Sequence, residues 1–195
     1  MASGTATASY EMRFDSGRIC LDLVATTHPG ERLCSAERLR AWIAGSGLVP
    51  AGTPLAAVDE AWLAACRELR ADIERLVGAE LDGRPADAAL ARVNARAEHP
   101  PPVPRAVRAE DGTLLRRLRG PLLRAGVLSA LSRDALELLT DPAARAGLRR
   151  CEGDNCRIVY LDTSRGRRRR WCSSEVCGNR ERVARHRRRA ALART

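Results

Sequence analysis

"CEGDNCRIVYLDTSRGRRRRWCSSEVCGNR", residues 151–180, carries four cysteines as two close pairs, Cys151 with Cys156 and Cys172 with Cys177, four residues apart within each pair and fifteen between pairs. A tetrahedral zinc site needs this layout, because each pair can chelate from one tight turn while the spacer brings the two turns together. The four-residue gap is wider than the two-residue gap of a common zinc knuckle. The plainer reading is four buried free thiols. It fits poorly, because the chain beyond residue 148 holds too few large apolar residues to build a core unaided, and a metal supplies the missing stability. With four protein ligands the ion has no open position, so the expectation is one structural Zn2+ with Cys151, Cys156, Cys172 and Cys177 as its ligands.

The flanks of the cysteines suggest the rest of the finger. Ile158–Leu161 reads as a strand, Thr163–Gly166 as a turn and Arg167–Trp171 as a returning strand. After the second pair, "GNRERVARHRRRAALAR" contains no proline and is rich in Arg and Ala, which predicts a helix starting near Cys177. At about 100° per residue from Arg180, Arg185, Arg189 and Arg182 fall between ~140° and ~200°, while Val183 and Ala190 fall near ~300° and ~280°. One side is therefore cationic. The other is apolar and is expected to pack on the hairpin with Trp171 and Tyr160. His186 reads as a helix-surface residue and not a fifth ligand.

Charge follows the same boundary. Met1 to Leu148 contains 19 Arg and 19 Asp plus Glu, whereas Arg149 to Thr195 contains 15 Arg and 5 Asp plus Glu, so the whole formal net charge of +10 lies in the last quarter. All 34 basic residues are arginine, so number alone means little, but such segregation points to a polyanionic partner. Arg167, Arg168, Arg169, Arg170, Asn179, Arg180, Arg182, Arg185 and Arg189 are the candidate nucleic-acid contacts. Arginine can grip guanine bidentately and asparagine adenine. Asn179 and Arg180 also have a structural reading, in which Asn179 caps the helix or bonds a cysteine sulfur and Arg180 pairs with an acid such as Asp162.

Upstream, residues 1–148 read as mostly helical. "SAERLRAWIAGSGLV" (35–49) opens on Ser35 as an N-cap, "AAVDEAWLAACRELRADIERLVGAELDG" (56–83) ends at Gly83, and "PADAALARVNARAE" (85–98) follows. Leu128, Leu131, Ala135, Leu138 and Leu139 form a helical stripe that stops at Asp141, which Pro142 disfavours as helical. Between them, four prolines within residues 100–104 break the pattern, and Glu110-Asp111-Gly112 has the turn chemistry of a short extended pair. The expected fold is thus a mainly α N-terminal domain at 1–148, α+β if that hairpin forms, plus a small treble-clef-like or ribbon-like zinc finger of β-hairpin and helix at 149–195.

The finger resembles the CGNR zinc finger, carried by Cys177-Gly178-Asn179-Arg180 with the preceding "RRWC" and "LDTSR". The N-terminal part resembles the ABATE domain, described as a stress-induced transcription regulator, through "ICLDLVATT" (19–27), "LRAWIAGSGL" (39–48), "CRELRADIERLV" (66–77) and "ARVNARA" (91–97). It departs at "LDLVAT", where the family more often has an aromatic and an asparagine before the threonine. The resemblance implies a DNA-binding regulator.

An arginine-rich surface also suits an RNA-binding or ribosome-associated module. An enzyme has thin support, since His28, Cys20, Cys34, Cys66, Asp22 and Thr26 form no nucleophile and base pair at usable spacing. Cys20 and Cys66 read as core residues. Asp22, Thr26, Thr27 and His28 follow an apolar, strand-like run and are the candidate pocket for a small-molecule effector; pairing into a homodimer would double a small interface. The first twenty residues lack the basic start and apolar stretch of a secretory signal, and no run approaches eighteen apolar residues, so a cytoplasmic protein without a membrane partner is expected. In that reducing compartment seven cysteines argue against a disulfide framework.

Overall fold

The computed structural model describes residues 12–192, apart from the side chains of Arg188, Ala190, Ala191 and Leu192. The first eleven residues, which begin the stretch read for a leader, and the Ala190 side chain lie outside the described residues. Helices α1 (Ile19–Val24), α2 (Ala36–Gly45), α3 (Glu60–Leu81) and α4 (Asp87–Ala97) come first. A hairpin of β1 (Pro104–Arg108) and β2 (Leu114–Leu118) follows, then α5 (Arg124–Thr140) and the single turn α6 (Pro142–Arg145). The last part holds β3 (Leu148–Arg150), β4 (Val159–Leu161), a π-turn at Ser174–Gly178 and α7 (Asn179–Leu192).

Local chemistry sets the helix ends. Ser35 Oγ accepts from Arg38 N at 3.2 Å, and Asp59 Oδ1 accepts from Trp62 N at 3.0 Å, satisfying amides that have no intrahelical partner. Asp141 leaves α5 in an extended conformation (ψ 110°) and its side chain caps α6, whose first residue is Pro142. The hairpin forms around Glu110-Asp111-Gly112, where Asp111 Oδ1 accepts from Thr113 N at 2.9 Å and Gly112 takes φ +82°.

α1 is the middle of the core. The run "ICLDLV", read as strand-like, is a helix: Cys20, Leu21 and Leu23 are fully buried and Asp22 and Val24 nearly so. A short segment covered on all sides shows no period by which helix and strand could be told apart. α3 and α5 pack on α1, and α4 packs on both α3 and α5. α3 contributes Leu63, Cys66, Leu69, Ile73 and Val77 at helical spacing, and α5 contributes Val127, Leu131, Ala135 and Leu138. Each fully buried Leu, Ile or Val among these stabilises the fold by about 1.5–3 kcal/mol. Asp72 on α3, its side chain 3% exposed, ties α4 down through Arg92 at 2.7 Å and Arg96 at 2.9 Å. Burial alone would raise its pKa, but the hydrogen bonds from Arg92 and Arg96 hold it below the usual carboxylate range.

The helical core extends into the finger. Leu148, Val159 and Leu161 belong to the same buried cluster as α1, α3 and α5. Leu161 N donates to Ser16 O and Asp162 N to Gly147 O, both at 2.8 Å. The approach is so close that a Cβ on Gly17, which has φ +90°, would lie 3.0 Å from Leu161 Cβ. The compositional division at 148/149 therefore falls inside a strand of the shared core. No helix among the described residues is long and apolar enough to cross a membrane.

Candidate metal centre

The hairpin of the finger pairs differently from the expectation. β4 runs antiparallel to β3, with Leu148 opposite Leu161 and Arg150 opposite Val159, so the strands flank the first cysteine pair and Arg167–Trp171 is an irregular loop. The reason lies in buried partners: Leu148 and Leu161 both face the helical core, whereas Arg167 (φ +45°) and Arg168 are exposed. The loop is held by Asp162, whose carboxylate accepts from Ser164 N and Arg169 N, each at 2.9 Å. Glu152 N donates to Arg170 O at 2.9 Å and joins this loop to the first knuckle.

The first knuckle turns at Gly153 to Asn155: Cys156 N donates to Gly153 O at 3.0 Å, and Asn155 adopts φ +58°. Gly153 sits against the sulfurs, and a Cβ there would come within 3.2 Å of Cys177 Cβ. The second pair is joined through the π-turn, in which Gly178 N donates to Ser173 O at 2.9 Å and Ser173 Oγ accepts from Val176 N. In the second pair this turn accommodates the four intervening residues and leaves Cys172 and Cys177 both fully or almost fully buried.

All four sulfurs lie within 4.8 Å of one another, with Cys156 and Cys172 at 3.8 Å and Cys172 and Cys177 at 3.6 Å. A tetrahedral ion with Zn–S bonds of about 2.3 Å requires S···S edges of about 3.8 Å, so the cluster is already sized for zinc. Amide and guanidinium donors surround it. Cys172 N and Gly153 N reach Cys151 Sγ at 3.3 and 3.5 Å, Arg180 Nη2 reaches Cys177 Sγ at 3.6 Å, and Arg13 Nη1 reaches Cys172 Sγ at 3.6 Å. Four thiolates on one Zn2+ carry about −2, and these donors offset that charge. Among the thiols themselves, Cys172 is drawn down, first by its hydrogen bond with Cys156 and then by Arg13, while burial pushes Cys177 up. The residues hold one structural zinc, which fixes the knuckles and the start of α7 and takes no part in chemistry.

The candidate contact residues divide into two groups. Arg169 is internal: it stacks over Tyr160 at 4.6 Å, donates from Nε to Trp171 O at 2.8 Å, and also reaches the Cys172 carbonyl. Arg170 pairs with Glu152 at 2.5 Å and lies over Trp171, and Arg180 holds a zinc-site sulfur instead of Asp162. Asp162 is instead engaged by the amides of Ser164 and Arg169. Arg167, Arg168, Arg170, Asn179, Arg180, Arg182, Arg185 and Arg189 are all exposed, with Arg182 reaching Ser174 O at 3.3 Å, so of the candidates Arg169 alone is partly buried. Val183, expected on an apolar strip against Trp171 and Tyr160, is 43% exposed, because α7 packs chiefly on the π-turn before it. His186 is exposed, as a surface residue.

The four polar residues of the candidate effector pocket make internal bonds. Asp22 accepts from Ser16 N at 2.9 Å, and burial pushes its pKa up to about 6. Thr26 donates to Leu23 O at 2.6 Å and accepts from Arg70 at 2.8 Å, and Thr27 donates to Val24 O at 2.9 Å. His28 Nε2 lies 2.7 Å from Asn155 O and 3.2 Å from Arg157 N, so it braces the first knuckle from the helical side. Arg13 is the residue that sequence reasoning missed. It lies 159 residues from Cys172, and nothing in its local context signals a metal site.

Comparison with curated proteins gives no match. A model of the CGNR zinc finger matches residues 148–190, and a model of ABATE, described as "Putative stress-induced transcription regulator", matches residues 17–142. With most of its length matched by the one and its cysteine cluster framed by the other, the chain belongs to the ABATE family and carries a CGNR zinc finger.

Proposed function

We propose that the protein is a zinc-dependent DNA-binding transcription regulator of the cytoplasm. In this reading residues 149–195 contact the phosphate backbone, and the helical part dimerises or senses a small molecule. The observation that carries it is the pairing of a rigid zinc knuckle with charge: the knuckle starts α7, and α7 displays Arg182, Arg185 and Arg189 to solvent beside Arg167 and Arg168, in a segment that holds the whole net charge of +10. Arg169 acts one step back, shaping the loop, while Arg170 and Arg180, exposed but engaged by Glu152 and a zinc-site sulfur, add to the same cationic surface.

The test is a selection from random double-stranded DNA with an RNA competitor, followed by binding of the zinc-loaded full chain across salt concentrations. Five to seven phosphate contacts give a log-log salt slope of about −4 to −6. Replacing Arg182, Arg185 and Arg189 together with Gln weakens binding to all duplexes alike. No binding to duplex at 50 mM salt, a salt-independent affinity, or full displacement by RNA with no enriched DNA sequence refutes the reading.

A further inference from the structure

Residues 1–148 are neutral as a whole, yet their arginines are unequally matched. On the helices, Arg18, Arg70, Arg92 and Arg96 each meet a carboxylate within 3 Å. On the β1–β2 hairpin and its exit, Arg105, Arg108, Arg116, Arg117 and Arg119 are all exposed, and none meets a carboxylate among the described residues. Arg108 reaches the carbonyl oxygen of Gly112, and Arg117 those of Arg116 and Ala51. The two acids nearby, Glu110 and Asp111, sit at the turn, and Asp111 is occupied by Thr113.

The register makes the imbalance sharper. Arg105 stands opposite Arg117, and Ala106 opposite Arg116. Directly opposed side chains in an antiparallel pair have Cβ atoms about 4.5–5.5 Å apart, so the Arg105–Arg117 pair repels in the free protein and waits for a counter-charge. Alternation along the strands puts Arg105 and Arg117 on one face of the ribbon and Arg108 and Arg116 on the other. Both faces are thus cationic, and Leu114, 65% exposed, stands among them opposite Arg108.

We infer that the β1–β2 hairpin is a second nucleic-acid contact, a ribbon that enters the major groove of duplex DNA, with arginines on its two faces meeting the phosphates of the two groove walls. The major groove admits a two-stranded β-ribbon. A flat anionic membrane would call for one charged face, and a second copy laid against the ribbon would bring like charge to like charge. The inference rests on the proposed DNA binding of the finger, and it assigns a role in that binding to the helical part of the chain.

The experiment uses the zinc-loaded full chain, a 30-base-pair mixed-sequence duplex, and vesicles containing phosphatidylserine, with R105Q/R116Q/R117Q compared with R182Q/R185Q/R189Q. Losing three phosphate contacts flattens the log-log salt slope by about 2.7 and weakens duplex binding at 0.15 M salt on the order of a hundredfold. The lysine version, R105K/R116K/R117K, keeps the charge and retains the slope; it separates a lost contact from a lost fold, and zinc content and circular dichroism check the same point. If the hairpin variant binds duplex with unchanged affinity and slope while the finger variant is weakened, the ribbon is wrong and the finger's role stands. If the unaltered chain does not bind duplex at 50 mM salt, both are wrong. Duplex binding unchanged together with lost vesicle binding, or with a dimer turned to monomer in sedimentation, overturns the ribbon in favour of a lipid surface or a second copy.

Discussion

Replacing Cys172 with Ser removes one of the four zinc ligands, and the decisive question is how far the damage travels. If the finger were an appendage, its loss would leave the helices untouched. The structure gives another answer, because Leu148, Val159 and Leu161 are 2%, 9% and 8% exposed and lie in one cluster with α1, α3 and α5. Unfolding the finger withdraws these three side chains, and at about 1.5–3 kcal/mol each the helical part loses about 5–9 kcal/mol. That is comparable to the whole stability of an ordinary domain, about 5–15 kcal/mol. For a chain of this size each kcal/mol shifts Tm by about 2–4 °C, so the helical transition should fall on the order of 10–30 °C. Differential scanning calorimetry and far-ultraviolet circular dichroism, with zinc counted by elemental analysis, measure this directly. The argument is refuted if C172S, or the unaltered protein stripped by a chelator, keeps its helical melting transition at the original temperature and loses only a small separate one.

Two further outcomes are expected. Removing the Arg13 side chain deletes the guanidinium contacts to Cys172 Sγ at 3.6 and 3.7 Å, and R13A should bind zinc about 10–100-fold more weakly in competition with a chromophoric chelator; equal affinity would show that Arg13 merely packs there. Asp22 has a folded pKa raised by burial to about 6, so its contribution is fully present below about pH 4 and is lost as pH rises through 6. D22N, which can keep the bond from Ser16 N, should therefore be more stable than the parent above pH 6, by up to about 3 kcal/mol, and converge with it below pH 4. A difference that stays constant from pH 4 to 8 would rule out titration of this carboxyl.

What could be read from the chain was what local chemistry writes. Ser35, the Asp141-Pro142 break and the Glu110-Asp111-Gly112 turn act within a few residues, and each appears where the sequence puts it. The four cysteines were legible because chelation constrains spacing. The misread parts depend on distant neighbours. Residues 167–171 alternate no better than any arginine run, and only the burial of Leu148 against Leu161 reveals that β3 is the true partner of β4. Val183 was assigned to an apolar strip by helical arithmetic, which says where a side chain points and not whether anything stands there. The bond from Arg70 to Thr26 spans 44 residues and has no local signal.

The π-turn between Ser173 and Gly178 also acts as an index mark between two otherwise independent objects. On one side is a sulfur cage whose position is set by the metal; on the other is a helix whose charged side repeats every 3.6 residues. The number of residues in that single turn fixes the angle between them. A deletion at Val176, which is exposed, would keep every cysteine and every arginine in the chain, yet relaxation to an ordinary helical turn would swing the row of Arg182, Arg185 and Arg189 by about 100° around the axis. Length between Cys172 and Cys177 is therefore a rotational setting, and it can be altered without changing the composition of either the cage or the charged face.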